Sequence, residues 1–167
     1  MEVIKHILVM ADTYTQLYVQ IVFAVKGRHS LIPREHKEEL HRYVTGIVKN
    51  RGAKLLAIHC MPDHVHVFIG FSPTLTIASL ARDIKTATSS FIKEKRWTRI
   101  PFYWQEGYGA FTYSHSQVGA VVRYILNQEE HHRKHTFREE YLTLLEKFEV
   151  PFETKYLFEW IDDGVRK

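Results

Sequence analysis

Residues 16–26 read Gln-Leu-Tyr-Val-Gln-Ile-Val-Phe-Ala-Val-Lys, a β-branched and aromatic run that predicts a long first strand. A loop over 27–33 follows. Between 34 and 50 the apolar positions Leu40, Tyr43, Val44, Ile47 and Val48 recur at helical spacing, with Gly52 just beyond as a stop. Residues 54–61 form a second strand, Pro62-Asp63 supplies turn chemistry, and 64–71 return as a third strand. Residues 76–95 predict an amphipathic helix with Ile77, Leu80, Ile84 and Phe91 as its buried stripe. The aromatic stretch 102–114 contains two glycines and predicts a bent fourth strand. Helices are expected over 116 to about 135 and over 137–148, then an irregular tail. The order β-α-β-β-α-β-α-α opens as a split βαβ, which predicts an α+β, ferredoxin-like antiparallel sheet with helices on one face, plus a C-terminal helix and tail. The other face is expected to be free for a ligand or partner subunit.

The 167 residues, 45% hydrophobic and 25% charged, fit one globular domain spanning 1–167. No apolar run is long enough for a membrane span, and the first residues lack the pattern of a signal peptide, so a cytoplasmic protein is expected. A single cysteine, Cys60, rules out an internal disulfide and a cysteine-based zinc cluster. It reads as a buried thiol. The net charge of +4 is unevenly spread. Residues 82–99 hold six bases against two acids, whereas 136–167 hold eight acids against five bases, so polyanion contact is expected mid-chain and the acidic tail over another surface.

His64-Val65-His66 opens the third strand. Side chains alternate along a strand, so the two imidazoles point the same way, about 7 Å apart along the backbone, while Val65, Val67 and Ile69 point into a core. The pair reads either as half-exposed strand residues bonded to backbone or water, or as two metal ligands at a sheet rim, with Asp63 as an outer acceptor. On the helix from 116, Val118, Val121, Val122 and Ile125 form the apolar face. Tyr124, Gln128, His131 and His135 fall on a stripe about a quarter-turn away. Tyr124 is either a core-boundary tyrosine or a nucleophile with Gln128 one turn along. A phenol is a weak nucleophile at neutral pH, but a cation that polarises a phosphoryl oxygen makes attack feasible. Two histidines, a cation and a helix-borne tyrosine together suit phosphodiester cleavage.

Met61-Pro-Asp-His-Val-His-Val-Phe-Ile69 resembles the His-hydrophobic-His strand of the HUH nucleases. Tyr124-Ile-Leu-Asn-Gln128 resembles the Tyr-x-x-x-Gln helix of the single-tyrosine insertion-sequence transposases, as do Tyr113-Ser-His-Ser-Gln117 and the aromatic strand from Trp104 to Thr112. The resemblance implies a DNA transposase in which His64, His66 and Gln128 bind a metal and Tyr124 is the nucleophile. Such enzymes act on single-stranded DNA with hairpins near the element ends, through a 5′-phosphotyrosine, and work as homodimers. It implies Mg²⁺, with Mn²⁺ as substitute, although ligand type alone favours Zn²⁺ or Mn²⁺. His131, His132 and His135 read as phosphate contacts or a solvated helix end.

DNA contacts are expected from Arg82, Lys85, Ser89 and Lys93 along one helix face, extended by Lys95, Arg96 and Trp97. Bases track phosphates and an aromatic stacks on an unpaired base. Arg28, His29 and Arg34 are weaker candidates. The apolar first and fourth strands need cover, which edge pairing in a homodimer would supply. The rival readings are a non-catalytic single-stranded nucleic-acid-binding module on the same sheet and a domesticated hairpin-specific HUH nuclease.

Overall fold

The computed structural model describes residues 14–28 and 31–158. His29 and the side chain of Arg28 lie outside the described residues, as do 159–167 of the acidic tail. The elements are β1 (Tyr18–Ala24), α1 (Lys37–Asn50), β2 (Lys54–Cys60), β3 (His64–Gly70), α2 (Ile77–Glu94), β4 (Gly109–Tyr113), α3 (Val118–Leu126), α4 (Gln128–His131) and α5 (Phe137–Lys147). The four strands form one antiparallel sheet in the order β2-β3-β1-β4, the expected ferredoxin-like arrangement.

Local chemistry sets the boundaries. Gly52, at φ 71°, supplies the left-handed residue that ends α1. The Thr76 side chain accepts from the Ser79 amide at 3.2 Å and caps α2. Thr136 and Glu139 form a capping box that starts α5.

Alternation along β3 divides the molecule. Val65, Val67 and Ile69 join Val19, Ile21 and Phe23 in a core sealed by Leu40, Val44 and Val48 of α1 and by Leu80, Ile84 and Ile92 of α2. Ile92, rather than the predicted Phe91, is the fully buried position in the last turns of α2. The opposite face is not free, as the sequence had suggested. Val22, Ala24 and Phe111 are covered by Phe137, Tyr141, Leu144 and Leu145 of α5, and Ala57 and Phe68 by Val121 and Ile125 of α3.

Three further expectations change. The strand expected over 102–114 shortens to β4, because Trp104 makes one isolated bridge to Val25 and Lys85 Nζ donates to the carbonyls of Gln105 (2.6 Å) and Gly107 (2.9 Å), holding this segment as a loop. The helix expected over 116–135 breaks at Asn127, whose φ/ψ of −100°/22° separates α3 from α4. β1 is an interior strand paired on both sides, so its apolar character is met within the sheet and calls for no partner subunit.

Candidate active site and metal centre

β3 begins at the Pro62-Asp63 turn and delivers His64 and His66 to the same face, with ring centroids 5.2 Å apart. Both are at most 1% exposed. The kinked α3–α4 segment brings Tyr124 over them, its ring perpendicular to that of His66 at 6.2 Å. A single chain thus assembles the tyrosine and its own histidine pair.

The residue that joins them is Glu140 on α5, which is 4% exposed. Its Oε1 accepts from the Tyr124 hydroxyl and, at 2.8 Å, from Gln128 Nε2. Its Oε2 lies 3.3 Å from His66 Nε2, 3.8 Å from His64 Nε2 and 3.1 Å from His132 Nε2. His64, His66, His132 and Glu140 each present one atom, all within 4.8 Å of one another. None of these three Nε2 atoms, nor Glu140 Oε2, makes a hydrogen bond, although all are buried. Buried polar atoms ordinarily have hydrogen-bond partners; these four instead meet one another at ion-pair distance, and converging in this way they form a cradle for a cation.

The outer contacts fit the same purpose. His64 Nδ1 lies 2.7 Å from Asp63 Oδ1, and His132 Nδ1 lies 3.0 Å from the His135 carbonyl. An acceptor at Nδ1 holds the proton there and leaves the Nε2 lone pair facing the centre. His66 Nδ1 meets Gln20 Nε2 at 2.9 Å, while Gln20 Oε1 accepts from the Tyr113 hydroxyl at 2.7 Å. Turning the Gln20 amide over would offer its oxygen to an Nδ1–H and free His66 Nε2 for ligation. Asp63 therefore takes the place the sequence suggested for it.

Electrostatics follow the burial. Desolvation pushes the His64 pKa down to about 4, against the pull of Asp63, so that ring stays neutral and able to ligate. Burial works to raise the Glu140 pKa, but His66, His132 and His64 outweigh it and hold the carboxyl ionised, well below the usual range. Burial also disfavours charge on His132, yet the adjacent Glu140 raises its pKa. The Tyr124 phenol is held protonated, first by burial and then by the negative charge of Glu140. A cation beside Glu140 would relieve that second effect.

A cavity of about 420 Å³ between α3 and α5 leads to the Tyr124 hydroxyl and is lined by Tyr113, Gln117, His131, His135 and Lys147 among others. Gln128, expected beside the histidines, is fully buried. It presents its amide nitrogen to Glu140, and its Oε1 has no hydrogen-bond partner.

The α2 residues lie across the sheet from this centre. Arg82, Lys93 and Arg96 are exposed. Ser89 is half-buried, and Lys95 Nζ pairs with Glu39 at 2.7 Å. Lys85 is tied to the loop carbonyls already described, because burial of its stem and two backbone acceptors hold it there. Trp97 is half-buried, stacks on His36 at 4.5 Å and makes a T-shaped contact with Phe91.

Three participants escaped the sequence reading. Glu140 had a visible signal: it sits on the apolar stripe of Phe137, Tyr141 and Leu144, where a charge needs a reason. Gln20 is likewise a polar residue inside an apolar strand. His132 had no distinguishing signal and was grouped with a solvated helix end, which the structure corrects: its side chain is 9% exposed and faces the cluster.

A family model described as Transposase IS200 like matches residues 13–128. The ISDra2 transposase TnpA of Deinococcus radiodurans is 25% identical over 122 residues, covering 69% of this chain and 86% of that protein. Among solved structures, a candidate transposase from Deinococcus radiodurans R1 aligns with a TM-score of 0.53 at 25% identity, over 71% of this chain and 95% of the other. A REP-associated tyrosine transposase bound to a REP hairpin shares the fold, with a TM-score of 0.55 at 16% identity over 74% and 73% of the two chains.

Proposed function

Since the chain belongs to the IS200-like transposase family, we propose that it cleaves and rejoins single-stranded DNA through a 5′-phosphotyrosine on Tyr124. The observation that carries this reading is the shared carboxylate: the same Glu140 side chain touches the Tyr124 hydroxyl and the unpaired nitrogens of the histidine centre. A buried structural tyrosine has no need of such a neighbour.

The single strand enters by the cavity between α3 and α5, where His131, His135 and Lys147 face its phosphates. Tyr124 Oη attacks phosphorus, and Glu140 Oε1, already its acceptor, takes the phenolic proton. The bond to the 3′ oxygen breaks, the proton taken up by Glu140 passes to that oxygen directly or through water so that it leaves as a hydroxyl, and the 5′ phosphate remains on Tyr124. The linkage keeps its energy, so a second 3′-hydroxyl reverses the step and reseals the strand. His64 and His66, with Gln128 close by, would hold a divalent cation, Mg²⁺ or Mn²⁺ on the family resemblance, which would supply Lewis-acid polarisation of the scissile phosphate. Hairpin-bearing element ends are the substrate this reading favours, because the structural neighbour of the same fold is described as bound to a REP hairpin. Geometry within one chain supports cleavage by each copy on its own; a homodimer would serve to hold two ends together.

The test uses single-stranded oligonucleotides from the gene's own flanks and a denaturing gel. A metal-dependent, denaturation-resistant protein–DNA band is expected from the natural chain. Tyr124→Phe should remove it completely while leaving DNA binding within about twofold. Capture by the Phe variant would overturn the nucleophile, and cleavage with no adduct would point to water instead.

A further inference from the structure

The family match ends at Gln128, and two of the four converging groups, His132 and Glu140, lie beyond it. We infer that this chain holds its cation with His64, His66, His132 and Glu140, so that Glu140 fills the ligand position expected of Gln128, and that the set selects a late first-row ion such as Zn²⁺ or Co²⁺ over Mg²⁺. The inference rests on the histidine centre of the reading above and replaces the ion and the Gln128 ligand given there.

The arrangement of unpaired atoms is the first support. Glu140 Oε2 lies 3.1 to 3.8 Å from the three Nε2 atoms. Adjacent ligands of a tetrahedral ion with bonds of about 2.1 Å are about 3.4 Å apart. The carboxylate oxygen is already at such distances, and since all four atoms lie within 4.8 Å of one another, the imidazoles would draw together by about 1.4 Å at most to close on one ion. Gln128 is placed differently. Its Nε2 donates to Glu140 Oε1, the carboxylate oxygen that faces Tyr124. Exchanging its amide ends would set an oxygen against an oxygen of the carboxylate, so this orientation is held by charge.

Ligand chemistry is the second. Three imidazoles and one carboxylate make a nitrogen-rich set, which favours ions late in the first row. Mg²⁺ prefers octahedral oxygen and keeps several waters, but His64, His66 and Glu140 are each at most 4% exposed. The outer shell matches as well, since His64 and His132 have acceptors at Nδ1 and Nε2 turned inward.

Connectivity gives a consequence beyond catalysis. His64 and His66 belong to β3, whereas His132 follows α4 and Glu140 is on α5. The ion would bridge the sheet to the C-terminal helices and raise the thermal stability of the whole chain.

The full chain, stripped with a chelator and free of DNA, is titrated with Co²⁺, Zn²⁺ and Mg²⁺, following the visible absorption of Co²⁺ and the unfolding temperature. One Co²⁺ should bind with the intense absorption of a four-coordinate site, displaced by Zn²⁺ and not by a roughly hundredfold excess of Mg²⁺. Zn²⁺ should raise the unfolding temperature by roughly 5–10 °C. His132→Ala and Glu140→Gln should each weaken Co²⁺ binding at least about tenfold and dull the absorption, with Gln128→Ala within about twofold of the natural chain. Glu140→Gln keeps an oxygen for Tyr124 and Gln128, and either substitution alone gives the answer if the other fails to fold. Loss with Gln128→Ala and with His64→Ala, but with neither His132→Ala nor Glu140→Gln, would overturn this ligand set and leave the proposed function standing. Displacement of Co²⁺ by Mg²⁺ would overturn the ion preference. Binding that His64→Ala and His66→Ala also leave unchanged would overturn both this inference and the histidine centre beneath it.

Discussion

The two faces of β3 are made from alternate residues of one seven-residue strand, yet they obey different rules. Val65, Val67 and Ile69 meet α1 and α2 in a core of aliphatic side chains. His64 and His66, equally buried, meet a carboxylate, and His66 also meets a glutamine and the ring of Tyr124. On the first face burial and stability go together. On the second, buried nitrogens stand without hydrogen bonds, an arrangement that costs stability until something binds. The contrast identifies which face folding requires and which one chemistry requires, and substitutions on each should separate the two.

The largest effect is expected on the apolar face. Ile69 is fully buried between the helices and the sheet. Ile69→Ala should lower the unfolding free energy by about 2–5 kcal/mol in urea titrations of the metal-free chain. At temperatures where the variant stays folded, ion affinity should be unchanged. A large loss of ion affinity in folded Ile69→Ala would mean that the faces are coupled.

The same division explains what could be read in the sequence. Period-two and helical patterns arise from burying apolar surface, so β1, α1, β2, β3 and α2 appear within a few residues of where they were expected. The two motif histidines were legible because their spacing alone puts them on one side. Glu140 stands out as a charge on an apolar stripe, but its partners were not legible, because the contact from α5 to β3 spans more than seventy residues and no local pattern encodes it. The break at Asn127 was missed for a related reason. No glycine or proline marks it, and the turn carries the chain from the Tyr124 helix toward His132. On α2, Lys85 and Trp97 were expected to meet DNA; in the structure Lys85 is bonded to a loop carbonyl and Trp97 stacks on His36 just before α1, contacts that no local pattern encodes.

Next in size is a change beneath the ligand face. Gln20, fully buried on β1, bridges Tyr113 and His66 Nδ1. Gln20→Leu keeps the volume but leaves both partners unsatisfied, which should cost about 1–3 kcal/mol and weaken ion binding by about 10–100-fold. Gln20→Glu restores an acceptor for Nδ1–H and should recover most of the ion affinity. Equal weakening by Leu and Glu would show that the residue acts through packing alone.

A smaller effect separates the faces by pH. His41 of α1 accepts the Cys60 amide at Nε2, 3.1 Å away, and can do so only when that nitrogen is unprotonated. Burial lowers its pKa below the ordinary value of 6.5. The unfolded chain therefore takes up the proton first as the pH falls. Stability from this group is fully present above about 6.5 and is lost as the pH drops through the lowered folded value. His41→Gln, which does not titrate, should flatten the slope of stability against pH in that window. An unchanged slope would remove His41 from the account.

The smallest effect is expected where the sequence placed the DNA contacts. Lys93 and Arg96 are exposed on and just after α2, on the side of the sheet away from the histidine centre. Any phosphate they meet is not the one being cleaved. On the proposed function their contribution would be to hold flanking DNA, through counterion release, each contact to a single strand contributing about 0.7 to the slope of log affinity against log salt. Lys93→Ala with Arg96→Ala should lower that slope by roughly 1.4, weaken binding less than about tenfold at moderate salt, and leave single-turnover cleavage of bound DNA unchanged. Arg123→Ala, with Arg123 exposed on α3 beside the tyrosine, is the matched control on the other face. Should the α2 pair alter cleavage rate while the α3 control does not, the helix would belong to the reacting side after all, and the division between the faces of β3 would no longer describe how this chain works.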